Sequence, residues 1–152
     1  MRRVAFLIVL LALGVNGSSS PDSIQKFDEF GDISCEDEQA RLDNFAINLG
    51  KSPLAKGYIV FYGGRLFRGR LPKRGEAAAR AARMKPYLVK TRNVPANRVV
   101  VIDGGYAEEW LVELWIMPPG VSPSTLFARP ASEIIFRKGK VSERAFRCAN
   151  PG

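Results

Sequence analysis

Five apolar residues in a row, Tyr58-Ile59-Val60-Phe61-Tyr62, stand between Gly57 and the pair Gly63-Gly64. No polar residue alternates through the run, so it reads as a strand buried on both faces. Whatever else the chain does, it must cover this strand from two sides. Val99-Val100-Val101-Ile102 repeats the pattern and is closed by Asp103-Gly104-Gly105. A third segment alternates instead. From Trp110 to Met117, Trp110, Val112, Leu114 and Ile116 take one face, and Leu111, Glu113, Trp115 and Met117 the other. Pro118-Pro119-Gly120 ends it. A less regular strand is expected over Ile24 to Ile33, with Phe27 and Phe30 as its large apolar residues.

Two helices fit between these strands. Ser34-Cys35-Glu36-Asp37 has the form of a capping box. Leu42, Phe45, Ala46 and Leu49 then recur on one helical face, and Gly50 supplies a stop. The second helix is expected over Glu76 to Lys90, with Ala77, Ala81, Met84 and Leu88 as its stripe. Pro86 should kink it or remove a hydrogen bond. The order is strand, helix, strand, helix, strand, strand. Helix-linked strands imply parallel pairs, and the short link before Trp110 predicts that the last two strands form an antiparallel hairpin. The fold expected is α+β, a two-layer sandwich with both helices on one face of a mixed sheet. Pro123 and Pro130 mark a change of composition after residue 120, and Ser132 to Val141 is read as a small hairpin turning at Gly139.

The N-terminus has a different character. Arg2 and Arg3 precede an apolar run from Val4 to Val15, and Val15-Asn16-Gly17 leads into Ser18-Ser19-Ser20. A charged start followed by roughly a dozen apolar residues reads as a cleavable secretory signal peptide. A spanning helix needs about 20 apolar residues, and a buried core helix would leave the two arginines unexplained. The organisation expected is a signal peptide (1–17), a polar leader (18–23), an α+β domain (24–120) and a Pro-containing extension (121–152). After cleavage the protein is expected to span no membrane.

Export changes how the other features read. The chain carries Cys35 and Cys148 and no histidine. In an oxidising compartment the pair favours one disulfide tying the start of the domain to its end. Two buried free thiols are the alternative. The formal net charge is +8, and an exported basic protein would meet cell-wall carboxylates, lipid phosphates or an acidic protein surface. The cations concentrate in one loop, Arg65, Arg68, Arg70, Lys73 and Arg74, with Leu66, Phe67 and Leu71 between them. Nucleic acid is not an expected partner. Without histidine or a cysteine cluster, the commonest metal and triad sites are excluded. Glu108 and Glu109 are adjacent and would point to opposite faces of a strand. The Gly63-Gly64 pair reads as turn chemistry. No enzymatic site, cofactor or metal is expected.

The element order and several residues resemble the OmpA-like C-terminal domain of bacterial outer-membrane and periplasmic proteins. The likeness runs from about Phe27 to Pro118 and rests on Leu42-Asp43, Leu49, the strand ending at Gly63, Ala79-Arg80-Ala81, Tyr87-Leu88, Asn97-Arg98-Val99, Gly104-Gly105-Tyr106 and Val112-Glu113. It implies an exported, non-enzymatic module of the bacterial periplasm or cell envelope that binds the peptidoglycan stem peptide. Three departures bear on that function. The family's Gly-His-Thr-Asp is replaced by Gly63-Gly64-Arg65-Leu66, its Asn and Leu-Ser by Arg74-Gly75-Glu76-Ala77-Ala78, and its Asn-Arg-Arg by Glu109-Trp110-Leu111. Arg80 keeps the family's arginine, which can grip a carboxylate bidentately. The acid that would meet the ligand's ammonium is missing, and Glu76 and Asp103 are the candidates to replace it. Arg80 also has a plainer reading as a partner of Glu76 one turn away. The alternative function is an interaction module that has lost wall binding and meets a protein or anionic surface through loop 65–74.

Overall fold

The computed structural model describes residues 26–123, 130–146 and 148. The expected signal peptide, the polar leader and the first residues of the expected first strand lie outside them. The elements run β1 (Lys26–Phe30), α1 (Cys35–Gly50), β2 (Lys56–Gly64), α2 (Glu76–Ala81), α3 (Met84–Pro86), a π turn (Tyr87–Thr91), β3 (Val99–Ala107) and β4 (Leu111–Met117). A 3-10 turn (Ala96–Arg98) precedes β3, and two more (Ala131–Glu133 and Glu143–Phe146) lie in the extension. Among the described residues no helix is long and apolar enough to cross a membrane.

The architecture is α+β, with a four-stranded mixed sheet in the order β1-β4-β2-β3. The helical link between β2 and β3 makes them parallel neighbours, as a crossover requires. β4 runs antiparallel to both β1 and β2. The expected β3–β4 hairpin is therefore not formed: β4 skips over the end of β2 and enters the slot beside β1. Both faces of β4 suit that inner position, since Val112 and Leu114 are fully buried on one side and Met117 on the other.

Local signals explain the helices. The Ser34 hydroxyl caps α1 by accepting from the Asp37 amide at 3.1 Å. Glu36, Asp37 and Glu38 occupy the positive end of the helix. Leu42, Phe45 and Leu49 are buried together, and each such side chain stabilises the fold by about 1.5–3 kcal/mol. The second helical segment breaks where Pro86 predicts trouble. α2 ends at Ala81, α3 at Pro86, and the chain then widens into the π turn, where the Arg92 amide donates to the Tyr87 carbonyl at 3.3 Å.

The main core lies between these helices and one face of the sheet. It joins Phe45, Leu49, Met84 and Leu88 to Ile59, Phe61, Val112, Leu114 and Trp110. The opposite face of β2 is also buried at Tyr58, Val60 and Tyr62. Residues after β4 return across that side, where the Tyr58 hydroxyl donates to the Val121 carbonyl at 3.1 Å. The two tryptophans divide as the alternation predicts, with Trp110 in the core and Trp115 half-buried on the other face.

The extension does not form the expected hairpin. Ser132 to Val141 packs along the chain before α2 instead, through a single parallel bridge between Lys73 and Arg137. Cys35 and Cys148 form a disulfide across a sequence separation of 113 residues. It anchors the far end of the extension to the first turn of α1.

Candidate functional site

The end of β2 organises the site. A β-carbon on Gly64 would meet the Trp110 nitrogen at 2.7 Å and the Glu109 carbonyl carbon at 3.0 Å. The short chain from β3 to β4 thus passes directly over this glycine. On Gly63 a β-carbon would lie 2.4 Å from the Tyr106 ring. The pair belongs to the strand, not to a turn, and serves close approach. Without it β4 could not cross to its slot and Tyr106 could not lie against β2.

Arg80 projects from α2 into the space this creates. Its guanidinium sits between two aromatic rings, 4.3 Å from the Phe67 centroid and 4.7 Å from that of Trp110. The side chain is only 6% exposed. Its carboxylate partner is Asp32, on the loop between β1 and α1. Asp32 also accepts from Arg68 Nε at 2.8 Å. Partial burial alone would raise the Asp32 carboxyl, but the hydrogen bonds from Arg68 and Arg80 outweigh it and hold it below its ordinary value. Burial moves the Arg80 guanidinium the other way, below its usual value, despite Asp32. It remains a cation, as arginine does in proteins.

One donor is left over. Arg80 Nη1 is buried and has no hydrogen-bond partner among the described residues. Beside it is a cavity of about 20 Å³ lined by Gly63, Gly64, Phe67, Pro72, Glu76, Ala77, Tyr106 and Trp110. That volume is enough for about one water and too little for an amino acid. Loop 65–74 would have to lift for a larger ligand to reach Arg80.

The other expected site residues take separate places. Glu76 does not pair with Arg80. Its carboxylate accepts from the Lys73 amide at 2.7 Å and faces Arg137 at 3.7 Å. Asp103 is exposed on β3, where its carboxylate accepts from the Gly105 amide at 2.9 Å. Neither pairs with Arg80, although Glu76 lines the cavity beside it. Arg65 pairs with Glu108 at 3.2 Å. Arg74 lies over the Phe136 ring at 4.3 Å. Arg70 is exposed near the loop tip.

Two groups were not legible in the sequence as part of a site. Asp32 lies 48 residues from Arg80, and no local pattern links them. The second group is Arg137-Lys138-Gly139-Lys140. The Arg137 amide donates to the Pro72 carbonyl at 3.0 Å, its Nε to Leu71 at 2.7 Å, and Lys73 Nζ to the Lys140 carbonyl at 3.0 Å. Lys73 and Arg74, at the end of the basic loop, thus lie beside this second basic run. A clustered run of lysines in the extension was the available signal.

Neither family models, nor curated proteins, nor solved structures give a match to this chain. Among the described residues no group of three or more potential ligands could hold a metal ion.

Proposed function

We propose that this chain is an exported, non-enzymatic module of the cell envelope that meets a polyanionic surface through its basic face. The observation that supports it most is the seating of residues 137–140 against residues 71–73, which adds Arg137, Lys138 and Lys140 to the cations of the loop. Among the described residues, Glu108, Asp32 and Glu76 neutralise part of this charge. Concentrated charge of one sign raises the local concentration of an oppositely charged partner. Phosphate-bearing lipids and carboxylate-bearing wall polymers both suit it, in the periplasm that the OmpA-like resemblance suggests.

A second reading is favoured by the leftover Arg80 donor. If loop 65–74 lifts, Arg80 can grip a stem-peptide carboxylate with the fork that Asp32 does not fill. The small volume beside Arg80 argues for the first reading.

Both are tested by co-sedimentation of the oxidised protein with peptidoglycan sacculi and, separately, with phosphatidylglycerol vesicles, across a salt series. Lys138→Glu with Lys140→Glu should abolish binding that salt also abolishes, while Arg80→Lys leaves it intact. Vesicles against sacculi then distinguish phosphate from carboxylate. Saturable, salt-resistant binding to sacculi that Arg80→Lys removes would overturn the basic-face reading in favour of the pocket.

A further inference from the structure

The sheet has two edges, and they are built differently. β1 is short and carries Lys26, Asp28 and Glu29, each engaged: Arg41 holds Asp28 at 2.6 Å, and Lys26 pairs with Glu29 and, at 3.0 Å, with Glu113. Charges of this kind are how proteins blunt an open edge. β3 has no such device in its first half. Val99-Val100-Val101-Ile102 is apolar and β-branched, and beyond Val99, whose amide donates to the Ala96 carbonyl, no backbone group outside β2 pairs with it among the described residues. The edge is interrupted only at its far end, where β3 advances one residue more than β2 between the pairs Phe61–Asp103 and Gly63–Tyr106.

Beside this edge the helices leave a slot. α2 lies over β2 and α3 against β3, yet together they leave Val101 37% exposed. The resulting groove has a volume of about 530 Å³, and Phe61, Ala81, Ala82, Val89, Ala96 and Val101 supply an apolar wall. Lys85 and Lys90 also line it. Neither lysine has a salt-bridge partner among the described residues.

We infer that the outer edge of β3 takes up an extended acidic segment of a partner protein, which pairs with Val99 to Asp103 as a fifth strand. The backbone ladder supplies affinity, and the groove reads alternate side chains of the incoming strand. An aliphatic side chain fills the apolar slot against Val101. A carboxylate two residues from it on the Val99 side lies on the same face, away from Asp103, and answers Lys85 and Lys90. A second copy of this chain pairing through the same edge is a poor occupant, because Val99 to Ile102 offers no acid to answer Lys85 and Lys90. Pairing ends at Asp103, which would repel an acid placed opposite it, and at the bulge. The inference is independent of the basic face, since no residue of 65–74 or 137–140 lines this groove.

The test uses two blocked, fluorescein-labelled peptides, Glu-Thr-Val-Thr-Thr and Thr-Thr-Val-Thr-Glu, one for each strand direction, titrated to about 1 mM against the oxidised protein by anisotropy. Two further peptides carry N-methyl groups on one or the other alternate set of amides. Saturable binding is expected, and one methylated peptide should bind at least tenfold more weakly while the other is unaffected. Lys85→Glu with Lys90→Glu, both at the surface, should weaken the better-binding acidic peptide at least tenfold and favour the same peptide with its glutamate replaced by lysine. Equal binding of both methylated peptides would remove strand addition. Equal binding of the acidic and lysine peptides, or no saturable binding, would overturn the proposal outright. Self-association by sedimentation velocity that a Val101→Lys variant abolishes would overturn it in favour of a second copy.

Discussion

Arg80 and Arg83 lie one turn apart on the same helical segment, and each takes a carboxylate from the chain that follows β1. They end in opposite conditions. Arg83 is saturated: Nε donates to Glu38 at 2.7 Å, Nη2 donates to the same carboxylate, and Nη1 donates to the Phe146 carbonyl at 2.6 Å. Glu38 itself is buried on α1. The group therefore joins α1, the second helical segment and the extension. Arg80 spends its fork on one oxygen of Asp32 and stacks its faces on Phe67 and Trp110, leaving Nη1 unpaired. A half-buried arginine with every guanidinium nitrogen engaged is a staple. A buried one with a donor to spare is where a ligand could be met, because an unmade buried hydrogen bond is expensive.

The comparison can be broken most sharply at Glu38. Glu38→Ala should leave Arg83 half-buried without its acid and cost about 3–5 kcal/mol in urea unfolding. A much smaller loss would mean that Arg83 is no staple. Cys148→Ser, or reduction of the disulfide, comes next. It should cost about 2–4 kcal/mol by freeing the denatured chain. Releasing the extension also takes the Phe146 carbonyl from Arg83, so the loss from Glu38→Ala should change when the two substitutions are combined.

Asp32→Asn sharpens the other side. The Asp32 carboxylate is partly exposed, so solvent screening limits the loss to about 1 kcal/mol. Its folded value lies below its unfolded value, so its contribution is complete above the unfolded value, near pH 4. It disappears as pH falls through the folded value. The difference between wild type and Asp32→Asn should hold steady down to about pH 5 and shrink below about pH 4. A gap that widens in acid would contradict the assignment. The smallest effect is expected from Arg68→Ala. Arg68 is fully solvated in its contact with Asp32, and its loss should leave the urea midpoint unchanged within error.

What could be read in advance follows the range of the interactions. α1 was legible because its cap and its stripe at Leu42, Phe45 and Leu49 act within a few residues. The break at Pro86 was legible because a missing amide acts on the preceding turn. The place of β4 was not. Its alternation states which side chains face the core but not which strand lies beside it, and a short link favoured β3 as neighbour. The extension misled for a similar reason: a glycine between polar residues suggested a turn, whereas residues 71–73 offered it partners. Arg80 stands out in the sequence, where the acid one turn away is Glu76, but its carboxylate partner is Asp32.

The sequence by itself determined the α+β composition, the buried nature of β2, the faces of β4 and a cysteine pair placed to close the domain. These depend on period, burial and spacing, which a linear chain carries within itself. Only the tertiary structure decided the strand order, the pairing of Asp32 with Arg80, the joining of two basic segments and the bare edge of β3. Each is a meeting of residues far apart in the chain. Such meetings are settled by which surfaces fit after collapse, and the glycines at 63 and 64 matter because they let β3, β4 and Tyr106 come that close.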